Sequence, residues 1–112
     1  MKNRVNLIGR LGKDAITTVL DNGKKKTTFS VATTDHYKDD KGEKQESTEW
    51  HRCTLWGQDN LLPYLTQGVL IDLEGKLHYG SYEKDGVTHY TTEVVVFDIL
   101  LLPSARTEQK QS

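Results

Sequence analysis

GQDNLLPYLTQG, residues 57–68, is the stretch of this 112-residue chain with a helical reading. Asp59 or Asn60 can cap its start, and Gly68 can close it in a left-handed conformation. Pro63 is tolerated only in a first turn, so the helix must be short. A single short helix excludes an alternating βαβ architecture, which needs a crossover helix for each parallel pair.

The flanking segments read as strands. NRVNLIG, residues 3–9, puts Val5 and Leu7 on one face, and GRLGKDA at 9–15 reads as a bend. Residues 17–34 form a hairpin turned at Asn22-Gly23, the strongest turn signal in the chain, with Phe29 and Val31 sharing a face of its second arm. DHYKDDKGEKQESTEW, residues 35–50, has a polar tip and almost no core residues, so it is expected to project. VLIDLEGKLHY at 69–79 alternates, with Val69, Ile71 and Leu73 facing inward. A second polar hairpin turns at Asp85-Gly86, and TTEVVVFDILLLP at 91–103 is the last and most apolar strand. The expected fold is all-β: a five-stranded OB-fold barrel, one short helix between strands three and four, and two projecting β-hairpins. An SH3-like barrel is the nearest competitor, but it needs no helix. The expected domain is 1–103, with a polar, disordered tail over 104–112.

The third strand, TEWHRCTLWG at 48–57, carries both tryptophans of the chain. An even separation puts Trp50 and Trp56 on one face of a strand, with Arg52 and Thr54 between them. His51, Cys53 and Leu55 point the other way. Cys53 and Leu55 suit a core. A face reading Trp, Arg, Thr, Trp does not, because a buried arginine needs a partner. Rings interleaved with cations are what a sequence-independent single-strand binder needs: bases stack on the rings, and lysine or arginine follows the phosphates. Tyr37 and Tyr82 lie on the polar hairpins and extend the pattern. The alternative roles are partial core for Trp56 and hairpin cover for Tyr82. Phe29, Tyr64 and Phe97 read as core or interface.

The net charge of −1 is unevenly spread. Residues 1–34 hold seven cations against two acids, and residues 35–49 hold three lysines against six acids. The positive field is therefore local, which suffices for a groove. The phosphate contacts are expected from Arg4, Arg10, Lys24, Lys25, Lys26 and Arg52. One cysteine excludes a disulfide framework and any CxxC metal site, and His36, His51, His78 and His89 have no ligand spacing. No serine sits in a nucleophile elbow. An enzyme, a metal and a cofactor are not expected. No apolar run is long enough to span a bilayer, and the first residues do not read as a secretory signal. A reduced cytoplasm is the expected location.

The residues also carry a resemblance. VNLIGRLGKD at 5–14, FSVATT at 29–34, TEWHRCTLWG at 48–57, VLIDLEGKL at 69–77 and HYTTEVVV at 89–96 resemble, in order, the bacterial single-stranded DNA-binding protein family. The resemblance implies an OB fold, sequence-independent binding of single-stranded DNA in replication, recombination and repair, and a homotetramer. It implies stacking roles for Tyr37, Trp50, Trp56 and Tyr82, a place on the DNA track for Arg52, and a subunit-interface position for His51. The chain departs from the family in a shortened 57–68 segment and in uncharged Gln58, Gln67, Gly80 and Ser81. It ends in ARTEQKQS, so the family's acidic protein-docking tail is expected to be absent from this chain. The reading from another class is a non-catalytic OB-fold protein-interaction module, with the rings as a hot spot.

Overall fold

Phe29 and Val31, Cys53 and Leu55, Ile71 and Leu73, and Val94 and Val96 are four pairs at a spacing of two, and all eight residues are buried. Each pair lies on a different strand, so four strands turn one face toward a common core. The computed structural model describes residues 1–103. The tail expected over 104–112 lies outside the described residues. The strands are β1 (Val5–Leu11), β2 (Ile16–Val19), β3 (Lys25–Lys38), β4 (Lys44–Trp56), β5 (Leu70–Lys84) and β6 (Val87–Leu101).

The sheet order is β1-β5-β6-β4-β3-β2, and an added β1–β3 pairing closes the barrel. All neighbours are antiparallel except β4 and β6, which run parallel from Cys53↔Val94 to Leu55↔Val96. This is the five-stranded OB barrel expected, with β2 as an extra strand. β2 pairs only with β3, and its four residues are exposed. Closure depends on two glycines. A methyl on Gly9 would overlap the carbonyl oxygen of Ala32, and one on Gly75 would overlap that of Val95. Gly75 also sits at a bulge between β5 and β6, where a sheet bends most readily.

The helix over 57–68 shrinks to one 3-10 turn at Leu62–Tyr64, with no side-chain cap at Leu61. Pro63 at the second position of that turn has no N–H to continue the ladder. The segment's structural role is to deliver Leu65, which is 1% exposed, into the core. Both projecting hairpins are present. β3 and β4 continue past the core as an exposed ladder to Lys38 and Lys44, and β5 and β6 do so to Lys84 and Val87. Strands of 14 or 15 residues span about 45–50 Å at the usual rise, which matches the longest dimension of 50 Å. Among the described residues no helix is long and apolar enough to cross a membrane.

Cys53 is fully buried, and burial, reinforced by the charge of Glu93, pushes its thiol up to about 12. A thiol held in that state is a small apolar side chain and not a nucleophile.

Candidate nucleic-acid interface

β3 and β4 pair without a register shift from Lys26↔Trp56 to Lys38↔Lys44. Directly paired residues share a face of a sheet. Lys26, Thr28, Ser30 and Ala32 therefore stand beside Trp56, Thr54, Arg52 and Trp50. The parallel β4–β6 pairing sets Thr54 opposite Val95, which brings Thr91 and Glu93 to the same side. With the β1–β2 bend at Gly12, these strands enclose an open groove of about 720 Å³.

Trp50 is 61% exposed. The far edge of its ring lies at Gly12, where an added Cβ would stand 2.5 Å from Cζ3 and 2.9 Å from Cη2. The bend beneath it is fixed: Gly12 N–H donates to Ser30 O at 3.1 Å, and Ala15 N–H to Leu65 O at 2.9 Å. Trp50 is thus held along one edge and otherwise largely open. Arg52 is exposed, and its guanidinium has no ion-pair partner among the described residues. Thr54 is buried and donates its hydroxyl to the Glu93 carboxylate. Trp56 is 44% exposed, and Lys26 Nζ lies 5.8 Å from its ring centroid, within cation–π range.

The three adjacent lysines are not equivalent. Lys26 lines the groove. Lys25 points the other way and pairs with Asp59 at 3.2 Å. Lys24 lies in the turn, where its backbone N–H donates to Asn22 Oδ1 at 3.0 Å. Arg4 is paired with Glu74 and does not line the groove. Arg10 is half-buried and donates from Nη1 to the Gly68 carbonyl at 3.0 Å, so it braces the 65–69 segment.

The two hairpin tyrosines differ. Between β5 and β6 the pairs His78↔Glu93, Gly80↔Thr91 and Tyr82↔His89 succeed one another without a shift. Tyr82 therefore continues the groove's row outward. Tyr37 pairs with Gln45, on the face of Val31 and His51 and opposite to that of Trp50. Both tyrosines are exposed. His51 is half-buried on the core side of β4, with Nε2 2.9 Å from the Thr33 hydroxyl.

The structure thus unites Trp50, Arg52, Trp56 and Lys26, extends them with Tyr82, and leaves Tyr37, Arg4 and Arg10 elsewhere. Sequence reasoning missed Thr28, Ser30, Gly12, Lys13 and Glu93. Thr28 and Ser30 follow once the register with Arg52 and Thr54 is known. Glu93 carries no local signal. Lys13, Lys26 and Arg52 line the groove together with Asp14 and Glu93, so its charge is nearly balanced. Among the described residues no group of three or more His, Cys, Asp or Glu is placed to hold a metal ion. An open face of rings, hydroxyls and a few cations can bind an extended polyanion that also offers flat apolar surfaces.

A family model described as the single-strand binding protein family matches residues 2–102. Single-stranded DNA-binding protein 1 of Chlorobaculum tepidum is 38% identical over 104 residues, covering 89% of this chain and 64% of that protein. The single-stranded DNA-binding protein of Xanthomonas campestris is 39% identical over 103 residues, covering 89% of this chain and 60% of the relative. The chain thus spans less than two thirds of the length of these curated relatives. Among solved structures, the Plasmodium falciparum SSB complex with ssDNA superposes with a TM-score of 0.83 at 29% identity, covering 92% of this chain and 96% of that one. A deletion mutant of the Thermus aquaticus single-stranded DNA-binding protein gives 0.81 at 29% identity, covering 93% of this chain and 52% of the other.

Proposed function

The chain belongs to the single-strand binding protein family, and from that premise we propose that it binds and protects single-stranded DNA without regard to sequence. The observation that carries this reading is the row Trp50–Arg52–Trp56, exposed on one face of β4 and extended by Tyr82. Supporting it, the relatives named above are single-stranded DNA-binding proteins, and one structural neighbour is a complex with ssDNA. Bases stack on the rings with about 1–3 kcal/mol each, and every base has a face to offer. Arg52, Lys26 and Lys13 follow the phosphates. No bond is made or broken: occupancy keeps the strand extended, unpaired and out of reach of nucleases. The work served is replication, recombination and repair, beside the chromosome in a bacterial cytoplasm.

The phosphate track sets the salt response. Three or four neutralised phosphates per barrel give log K a slope of about −2 to −3 against log salt. Lys26→Ala should flatten that slope by about 0.7, whereas Lys25→Ala, whose cation is committed to Asp59, should leave it unchanged. Oligo(dT) titrations across a range of salt, followed by tryptophan emission, decide this. An unchanged slope for Lys26→Ala would move the phosphate path off β3. A titration of the parent with no quenching and no dependence on oligonucleotide length would favour a protein-docking module instead.

The functional unit is a homotetramer in this reading. β6 has one apolar side in the core, while Phe97 and Leu100 remain more than half exposed on the other, as does Ile8 on β1. Ile8 and Leu100 both flank Asp72 on the outer face of β5. A domain this small gains by covering such surface with copies of itself. Leu100→Lys puts a charge into this surface and should lower the mass seen by light scattering. A monomeric parent at micromolar concentration would refute the assembly.

A further inference from the structure

On the projecting β5–β6 hairpin, the rings of Tyr82 and His89 lie one on the other. Their centroids are 5.0 Å apart and their planes 17° from parallel. The two residues are direct cross-strand partners, so the register of the ladder fixes the contact. Both are exposed. Thr91 and Glu93, on the same side of β6, line the groove described above. The charged groups on this side of the two strands are Lys84, one pair outward on β5, His78 and Glu93, two pairs inward, and Lys76, three pairs inward. His89 has no ion-pair partner among the described residues.

We propose that His89 is a nucleic-acid-binding residue: with Tyr82 it forms a two-ring platform that stacks a base and, when the imidazole is protonated, also attracts a phosphate. The proposal rests on the single-stranded DNA reading of the groove. Histidine is the side chain whose charge ordinarily changes between about pH 5 and 8. A cation over the tyrosine face is itself favourable, so protonation keeps the stack while adding charge. The next groove-side cation toward the hairpin tip is Lys84. A proton on His89 therefore adds a charge to a thinly charged stretch of the track. The bound state favours that proton, and affinity rises as pH falls.

The test is a set of oligo(dT) titrations at about pH 8 and about pH 5.5, at several salt concentrations, read by tryptophan emission. Thymine takes no proton in this range, so the response belongs to the protein. The parent should gain about three- to fivefold in affinity at the lower pH, with a slope steeper by about 0.7. His89→Ala should lose both responses and bind at least about twofold more weakly at pH 8, where half of the platform is gone. His78→Ala should keep both responses. His89→Lys should show the steeper slope at either pH. A pH response that persists in His89→Ala, or a parent slope that does not change with pH, overturns the proposal. A parent that binds no oligo(dT) at pH 8 overturns the single-stranded DNA reading itself, which is a different result.

Discussion

Trp50→Ala weakens oligo(dT) binding by about 1–3 kcal/mol, roughly five- to 150-fold in Kd, while the thermal midpoint moves by only a few degrees. The ring is 61% exposed, so little buried surface is lost on truncation. Its far edge lies at Gly12, part of a bend that backbone hydrogen bonds to Ser30 and Leu65 hold without it. The exposed ring surface is what a base needs. Because the ring edge is already held at Gly12 in the free protein, stacking costs little ordering of the side chain. Trp56 remains as the emission reporter. Trp56→Ala should be milder, since Lys26 already occupies one approach to that ring. A change in Kd below twofold for Trp50→Ala would remove Trp50 from the binding face.

The face that carries this prediction was legible because strand parity is local. Knowing that Cys53 and Leu55 suit a core places Trp50, Arg52 and Trp56 outside without any long-range information, and the structure has them there. The barrel was legible for the same reason, since Phe29, Val31, Ile71 and Leu73 declare their faces within their own strands, whereas the unbroken run of valines at 94–96 needed the pairing with β4 and β5 to give it one. Parity fails where a second strand or a turn decides. Three lysines in a row look like one patch, yet alternation sends Lys25 to Asp59 and Lys26 to the groove. Tyr37 looks like a partner of Trp50, but counting along an unshifted ladder sets it on the opposite face. Glu93 and Thr54 meet only because β4 and β6 run parallel at that point, a pairing that depends on how the barrel closes. The short helix was expected from Pro63. Its reduction to a single 3-10 turn reflects what one buried leucine requires of the segment.

Gly75→Ala should destabilise the barrel by about 3 kcal/mol or more, a large share of the roughly 5–15 kcal/mol that holds a domain of this size. The added methyl would overlap the Val95 carbonyl oxygen and stand 3.0 Å from Val94 Cγ1. Overpacking usually costs less because side chains yield. Here the obstacle is backbone, and Val95 is locked in the β5–β6 ladder on one side and in the parallel β4 pairing on the other. Moving it would disturb Val94 and Val96, both in the core. At roughly 4–8 °C per kcal/mol for a domain of this length, the thermal midpoint should fall by about 15 °C or more. Ser81→Ala, on the exposed part of the same strand, serves as the control and should move it by no more than a few degrees. Below its own midpoint the Gly75→Ala protein should still bind oligo(dT) within about threefold of the parent, because Gly75 faces the core and the rings face the groove. A midpoint within about 3 °C of the parent's would show that β6 can retreat at this point, and that the close approach at Gly75 is not what closes the barrel.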